Sequence, residues 1–493
     1  MISLAVNFFL SPFIVRHLGE EANGFMQLAN NFVTYASLLT LAFNSMASRF
    51  ITVSYHKKHV AAARQYYSST ILCNLIILAV LIPVALMIVI HLDKVVQIGR
   101  AGLRDTQLLF FYIFMNFFAN LFLSVYNISM FVKNKLYLQN AITLARCALN
   151  AVLLLVTFYR FPPHIFYVSL VSLILTIATF PPTIHIHKKL LPELGFRFSE
   201  FRLDTVKAMF SSGIWNSVNQ GGNMLMTGLD LLLANWFVGP KMMGVLSIAK
   251  LVPTAIINLC GTINTNFAPD LTIWYAKENR EELLKRIRYN MKISTVLIST
   301  CIITFCAYGI PFYRLWMSTM DAEMLTVLSV LTMMAFIPWA GPQTLYNIFT
   351  VTNHLMVNSV AFISTGIMNI AIVLILLKAT NWGVYAIAGV SSGLTVIRNL
   401  AVTAPYTAKL LHLKWYEFYK DVAASLLCSG INLVVAIGIQ TLIRPTGWVT
   451  LIFSVGVTYV LTVLLDTLLI LNRRERSLLF QKLKLRRKSN ESD

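Results

Sequence analysis

Leu18-Gly19-Glu20-Glu21-Ala22-Asn23-Gly24 returns 220 residues later as Val238-Gly239-Pro240-Lys241-Met242-Met243-Gly244, and the register then holds without a gap. Gly19, Gly24, Ala29, Thr34, Leu39, Asn44, Thr52, Tyr55 and Lys57 are matched by Gly239, Gly244, Ala249, Thr254, Leu259, Asn264, Thr272, Tyr275 and Lys277. These are nine identities over residues 18–57, where this composition gives roughly three by chance. The same offset carries Tyr126-Asn127-Ile128 onto Tyr346-Asn347-Ile348, and an offset of 219 carries Asn150 onto Asn369. The chain is expected to hold two copies of one unit.

What the unit is made of follows from composition. The 493 residues are 57% hydrophobic and only 12% charged, with a mean hydropathy of +0.69, whereas a soluble domain is about 25% charged. Apolar runs long enough to cross a hydrocarbon layer about 30 Å thick recur along the whole length. The expected fold is all-α and integral to a membrane, with about fourteen helices at 2–16, 24–48, 70–92, 107–131, 138–158, 164–185, 207–238, 243–270, 291–313, 323–350, 356–377, 383–404, 421–443 and 447–471. Six helices (1–185) form an N-terminal lobe, 186–206 a cytoplasmic linker, and 207–404 a C-terminal lobe in the same orientation, because the copy begins after an even number of spans. An extra helix pair (405–471) and a basic tail (472–493) complete the chain. Parallel repeats of this kind place a substrate site between lobes near the bilayer midplane and work by alternating access. The first helix, about 15 residues or 22 Å, is short for a crossing. The expectation is that the natural chain starts further upstream or that this helix enters only partway.

The net charge of +20, from 40 basic and 20 acidic side chains, does not indicate nucleic acid, because the charges sit in short loops. With the amino terminus cytoplasmic, internal loops and tail hold 28 basic residues against 9 outside, which favours both termini inside. The six cysteines fall in or beside apolar runs and read as packing residues rather than a disulfide framework or zinc site. Residues 1–10 lack the basic start and small-residue cleavage site of a signal peptide. The tail from Arg473 to Lys488 suits an anchor on anionic lipid. Most tryptophans, Trp316 among them, read as an interfacial belt, Trp215 and Trp339 excepted.

The stretch Leu229-Asp230-Leu231-Leu232-Leu233-Ala234-Asn235-Trp236-Phe237-Val238-Gly239-Pro240 with Gly244 and Ala249, followed by Pro269 and Tyr275-Ala276-Lys277, resembles the seventh and eighth helices of Wzx-like polysaccharide-transport flippases. These belong to the multidrug/oligosaccharidyl-lipid/polysaccharide (MOP) superfamily. The likeness covers nearly the whole chain in helix order. It implies translocation of undecaprenyl-pyrophosphate-linked oligosaccharide to the outer leaflet of a bacterial inner membrane, driven by an H+ or Na+ gradient. Expected partners are membrane lipid, the lipid-linked substrate, and the polymerase and glycosyltransferases of surface polysaccharide synthesis. Departures are the short first helix and about fourteen spans where many O-antigen flippases have twelve. A small-solute or multidrug exporter of the same superfamily is the alternative. An enzyme is disfavoured, because no loop carries a paired-carboxylate or nucleotide motif.

Ionisable side chains inside a span cost roughly 2.5–3.5 kcal/mol on insertion scales and are functional candidates by default. Arg146, Lys250, Arg398 and Arg49 are the candidate cavity cations for a pyrophosphate, which an arginine fork binds through two oxygens. Arg146 and Arg398 lie within reach of a cytoplasmic end, so snorkelling is the competing reading. Asp230 is the candidate coupling-ion site. It and Lys250 lie at equal depth, about 14 Å from the turn at Gly239-Pro240, and fit either an exchanged pair or a static buried one. Asn216, Asn219, Gln220 and Asn223, beside Gly221-Gly222, read as a gate with sugar contacts, or as small-residue packing. Asn30 could bind a sugar hydroxyl. Asp270 reads as a helix-end residue and Asp466 as interfacial.

Overall fold

The computed structural model describes residues 2–99, 102–352, 354–473 and 475–476, so most of the basic tail lies outside it. Every regular element among the described residues is helical. In chain order the long helices are α1 (Ile2–Leu18), α2 (Glu20–His56), α3 (Val60–Ile90), α4 (Leu103–Val132), α5 (Leu136–Arg160), α6 (Phe166–Leu190), α7 (Leu203–Asn223) and α8 (Asp230–Phe237). There follow α9 (Pro240–Ala276), α10 (Arg280–Trp316), α11 (Ala322–Met333), α12 (Leu355–Ala379), α13 (Val384–Leu410), α14 (Tyr419–Ile443) and α15 (Trp448–Ile470).

Ten of the described helices are long and apolar enough to cross a membrane. The expected spans outside those ten have local reasons. Span 2–16 is the short α1, and 24–48 lies in α2, whose polar residues include Asn23, Asn30, Asn31 and Asn44. Span 207–238 is interrupted between α7 and α8. Span 323–350 breaks after Met333 into short turns, where Pro338 and Pro342 each remove a helix donor.

The duplication is written into the backbone. Gly19 (φ 83°) and Gly239 (φ 111°) both take the left-handed region where α2 and α9 begin. Lys58 (φ 62°) and Glu278 (φ 53°), also 220 apart, turn the chain into α3 and α10. The cores correspond as well. One buried cluster contains Ile51, Ala63, Tyr67, Val125 and Ile128, and another contains Leu271, Leu283, Ile287, Leu345 and Ile348, each 220 residues on. Asn44 donates to Asn74 Oδ1 at 3.1 Å, and at the equivalent positions Ser294 donates to Asn264 Oδ1 at 3.3 Å.

Packing divides the chain into two compact units, Met1–Ile248 with Phe362–Val384, and Ala249–Ala361 with Tyr385–Asp493. This division follows contact rather than duplication, so it does not run along the repeat boundary. In the first unit α7, α8 and the start of α9 pack with α2, and the equivalent glycines of the two copies meet. A Cβ on Gly244 would clash with the Glu20 carbonyl oxygen, and one on Gly24 would lie 2.9 Å from Gly244 Cα. Asn23 Nδ2 donates to Ser247 Oγ beside this crossing at 2.8 Å. In the second unit α10 packs on α14 and α15.

Two readings need correction. Trp316 is buried at 3% exposure rather than in a belt, because it packs on Phe312 and Tyr313. Asp466 is fully buried rather than interfacial; its depth along α15 places it near an end, but its face turns into the protein. All six cysteines are free.

Candidate functional site

In the first unit, the helix expected over 207–238 is broken. After Asn223 it widens into a π-helical stretch, Met224–Gly228, and α8 restarts at Asp230. Gly221, Gly222, Thr227 and Gly228 give this region weak helix propensity, and the wider turn takes carbonyls out of the ordinary i→i−4 ladder. Side chains from elsewhere in the unit take them up. Asn369 Nδ2 on α12 donates to the carbonyls of Leu225 (3.3 Å) and Met226 (3.0 Å). Asn31 Nδ2 (3.0 Å) and the Tyr35 hydroxyl (2.6 Å), both on α2, donate to the Gly228 carbonyl. Inside a bilayer an unpaired carbonyl costs several kcal/mol, so these three side chains make the break a permanent feature. Asn369→Leu, which removes the donor to two carbonyls, is expected to cost about 1–3 kcal/mol and to lower the melting midpoint in detergent. Asn31→Ala is expected to cost less, because Tyr35 still serves Gly228.

Asp230 is the first residue of α8 and only 3% exposed. A carboxylate there gains from the positive end of the helix dipole. The gate residues divide between two roles. Asn216 donates to Ser45 Oγ at 3.2 Å and Ser217 to the Leu38 carbonyl at 3.0 Å, tying α7 to α2. Gly222 serves packing, since a Cβ would meet Phe362 Cβ at 2.7 Å, whereas a Cβ on Gly221 would meet nothing within 4 Å. Gln220 is half-buried and Asn223 exposed. The buried Asn219 Oδ1 has no hydrogen-bond partner among the described residues. Asn30 is exposed and bonds within its own helix, to the Met26 carbonyl at 2.9 Å.

Two arginines of this unit differ. Arg146 is half-buried among neutral groups of α4 and α6, donating to Asn120 Oδ1 (3.2 Å) and Thr176 Oγ1 (3.3 Å), while Thr176 donates to Asn116 Oδ1 (2.6 Å). It is held by this network rather than drawn to the end of its helix. Arg49 is exposed near the end of α2.

In the second unit, Arg398 is 5% exposed, immediately before a second π-helical stretch, Asn399–Thr403, within α13. Its Nη2 donates to the Tyr346 hydroxyl (3.0 Å) and Asn399 Oδ1 (3.3 Å), and Tyr346 in turn donates to Asn399 at 2.5 Å. Arg398 therefore does not snorkel. One turn on, Ala401, Val402, Pro405, Tyr406, Lys409 and Trp415 line a cavity of about 580 Å³. Lys250 is half-buried at a non-helical joint of α9. Pro253 has no N–H to offer the Ala249 carbonyl four residues back, and Ser329 Oγ on α11 takes that place at 2.8 Å. Asp230 belongs to the first unit and Lys250 to the second.

Sequence reading passed over the partners that hold the breaks: Tyr35, Tyr346, Asn369 and Asn399. The repeat flagged Tyr346 and Asn369 but gave them no task.

No family model matches the chain. It is 26% identical over 464 residues to a protein of Bacillus subtilis (strain 168) described as the uncharacterized membrane protein EpsK, covering 93% of this chain and 90% of that one. Among solved structures it superposes on an inward-facing multidrug resistance MATE family transporter of the MOP superfamily with a TM-score of 0.68, at 13% identity, over 83% of this chain and 94% of that one. On the lipid II flippase MurJ, in an inward closed conformation, the TM-score is 0.66 at 12% identity, over 94% of this chain and 97% of that one. The all-helical, twice-repeated architecture built above is thus the fold shared by a MATE transporter of the MOP superfamily and the MurJ flippase.

Proposed function

We propose that this chain is a flippase that moves undecaprenyl-pyrophosphate-linked oligosaccharide from the inner to the outer leaflet of a bacterial inner membrane, with both termini cytoplasmic, for surface polysaccharide synthesis. The observation that carries the reading is the broken helix at Met224–Gly228 with its carbonyls taken up by Asn31, Tyr35 and Asn369. Discontinuous helices of this kind are where transporters bind substrate and coupling ions. Asp230, at the restart, takes the H+ or Na+ that drives the cycle. Arg398, Arg146, Lys250 and Arg49 supply positive charge for the pyrophosphate, and Asn30, Asn216, Asn219, Gln220 and Asn223 contact sugar hydroxyls or gate their passage. Cations set within the spans, Arg398, Arg146 and Lys250, suit an anionic lipid headgroup better than a cationic drug. Glycosyltransferases and a polymerase supply and consume the cargo. No step makes or breaks a covalent bond, so the chain is not an enzyme.

The test is flipping of a fluorescent undecaprenyl-pyrophosphate oligosaccharide in proteoliposomes under an imposed ion gradient. Wild type is expected to expose the label to an outer-leaflet quencher, and Arg398→Ala to slow this by about tenfold, the equivalent of one lost charge-assisted contact. A folded wild type that moves no such lipid but extrudes a cationic dye would replace the flippase reading with the multidrug one.

A further inference from the structure

The two C-terminal helices have no counterpart in the repeat, and the faces they bury are rich in polar residues. On α15, Ser454, Thr458, Thr462 and Asp466 follow one another at four-residue spacing, and all are at most 1% exposed. That spacing puts them on one stripe. On α14 the buried stripe includes Ser425, Ser429 and Asn432. Both face α10, where Ser299 and Thr300 are fully buried. The repeat equivalents of Ser299 and Thr300 on α3 are Ala79 and Val80, and Val80 is 59% exposed. The polar pair therefore occurs only in the copy that the extra helices cover.

At the centre lies the Asp466 carboxyl, with no basic side chain paired to it among the described residues. Its Oδ2 accepts from Asn432 Nδ2 at 2.8 Å and, more loosely, from Ser299 Oγ and Thr300 Oγ1, each at 3.5 Å. The Cys428 thiol lies beside it. Three oxygens of the cluster have no hydrogen-bond partner among the described residues: Asp466 Oδ1, Asn432 Oδ1 and Ser429 Oγ. Two of them are pure acceptors. A carboxylate removed from water without a counter-charge is strongly disfavoured, and hydrogen-bond donors on Oδ2 alone leave the other side of the group unsatisfied.

We propose that Asp466, Asn432 and Ser429 form a binding site for a small hard monovalent cation of the Na+ class. A carboxylate, an amide carbonyl and a hydroxyl are the oxygen donors that hard cations take, and a cation bound among them would supply the partner that each orphaned oxygen lacks. It would lock α14 and α15 onto α10. The site lies wholly within the second unit, is separate from Asp230, and does not depend on what the chain transports.

The test uses the full chain in detergent, in an Asp230→Asn background so that the other candidate ion site is silent. NaCl is exchanged for choline chloride at constant ionic strength while the melting midpoint is followed. The expected result is a saturable, Na+-specific rise in midpoint, which Asp466→Asn abolishes. Ser429→Ala, which leaves the carboxylate in place, is expected to shift half-saturation to about tenfold higher Na+, and it decides the matter if Asp466→Asn does not fold. The proposal is overturned if the Asp230→Asn protein shows no Na+-specific rise. It is equally overturned if Ser429→Ala and Asp466→Asn respond as their parent does, or if the midpoint follows pH alone, which would make Asp466 a protonated acid.

Discussion

Gly213→Ala is expected to leave little or no folded protein, the largest stability effect of any glycine-to-alanine change in this chain. A Cβ at that position of α7 would overlap the carbonyl oxygen of Ala42 and lie 2.6 Å from its carbonyl carbon. The obstacle is backbone, so no side chain can rotate away, and α7 must move off α2. That movement would strain the bonds from Asn216 to Ser45 and from Ser217 to the Leu38 carbonyl. Overpacking a tight site costs about 1–3 kcal/mol and occasionally more, and this approach is close enough to lie beyond that range. Gly261→Ala is the matched control. Also within a helix, it would place a Cβ that meets nothing within 4 Å, and the better helix propensity of alanine, worth up to about 1 kcal/mol, makes it neutral or stabilising. Size-exclusion profiles and melting curves of the two variants should therefore diverge sharply. Equal behaviour would mean that α2 and α7 do not approach as closely as described.

The duplication was legible because it is carried by residues that do the same work twice. Ile51 and Leu271, Ala63 and Leu283, and Ile128 and Ile348 occupy equivalent core positions, and Gly19 and Gly239 both take a positive φ. Hydropathy found the long helices for the same reason that a bilayer selects them. The position of the helix break was only half legible. Glycines and asparagines marked the region, but the π-helical turn falls at Met224–Gly228, after the Gly221-Gly222 pair, because its place is set by acceptors that Asn31, Tyr35 and Asn369 can reach. Those partners lie more than a hundred residues away in sequence, beyond any local pattern. Asp466 was misread for a different reason. Distance from a helix end gives depth in a membrane but not facing, and the four-residue spacing of Ser454, Thr458, Thr462 and Asp466 was the facing signal.

On the flippase function proposed above, Asp230→Asn is expected to produce a folded protein whose flipping no longer responds to an ion gradient, with the gradient-driven rate reduced at least about tenfold. A tenfold loss corresponds to only about 1.4 kcal/mol of driving interaction, less than a buried charge in a span ordinarily costs to maintain. The substitution keeps the shape and one acceptor oxygen, so the restart of α8 should survive, and the dipole at that helix end loses its carboxylate but no backbone bond. Folding and transport are thereby separated, which Asp230→Ala would not achieve, because it opens a cavity beside Leu231 and Leu233 in a core where all three residues are at most 5% exposed. The physical argument for a cycling role is the position of the carboxylate. It stands directly after the only described break in the first unit that lies within an expected span and is held by three separate side chains, so binding or releasing a cation there acts on the element best placed to bend. Measuring quencher-accessible lipid with and without the gradient resolves the two possibilities. If Asp230→Asn flips at the wild-type rate and keeps its gradient response, Asp230 is a structural cap on α8, and coupling must be sought at another buried acid.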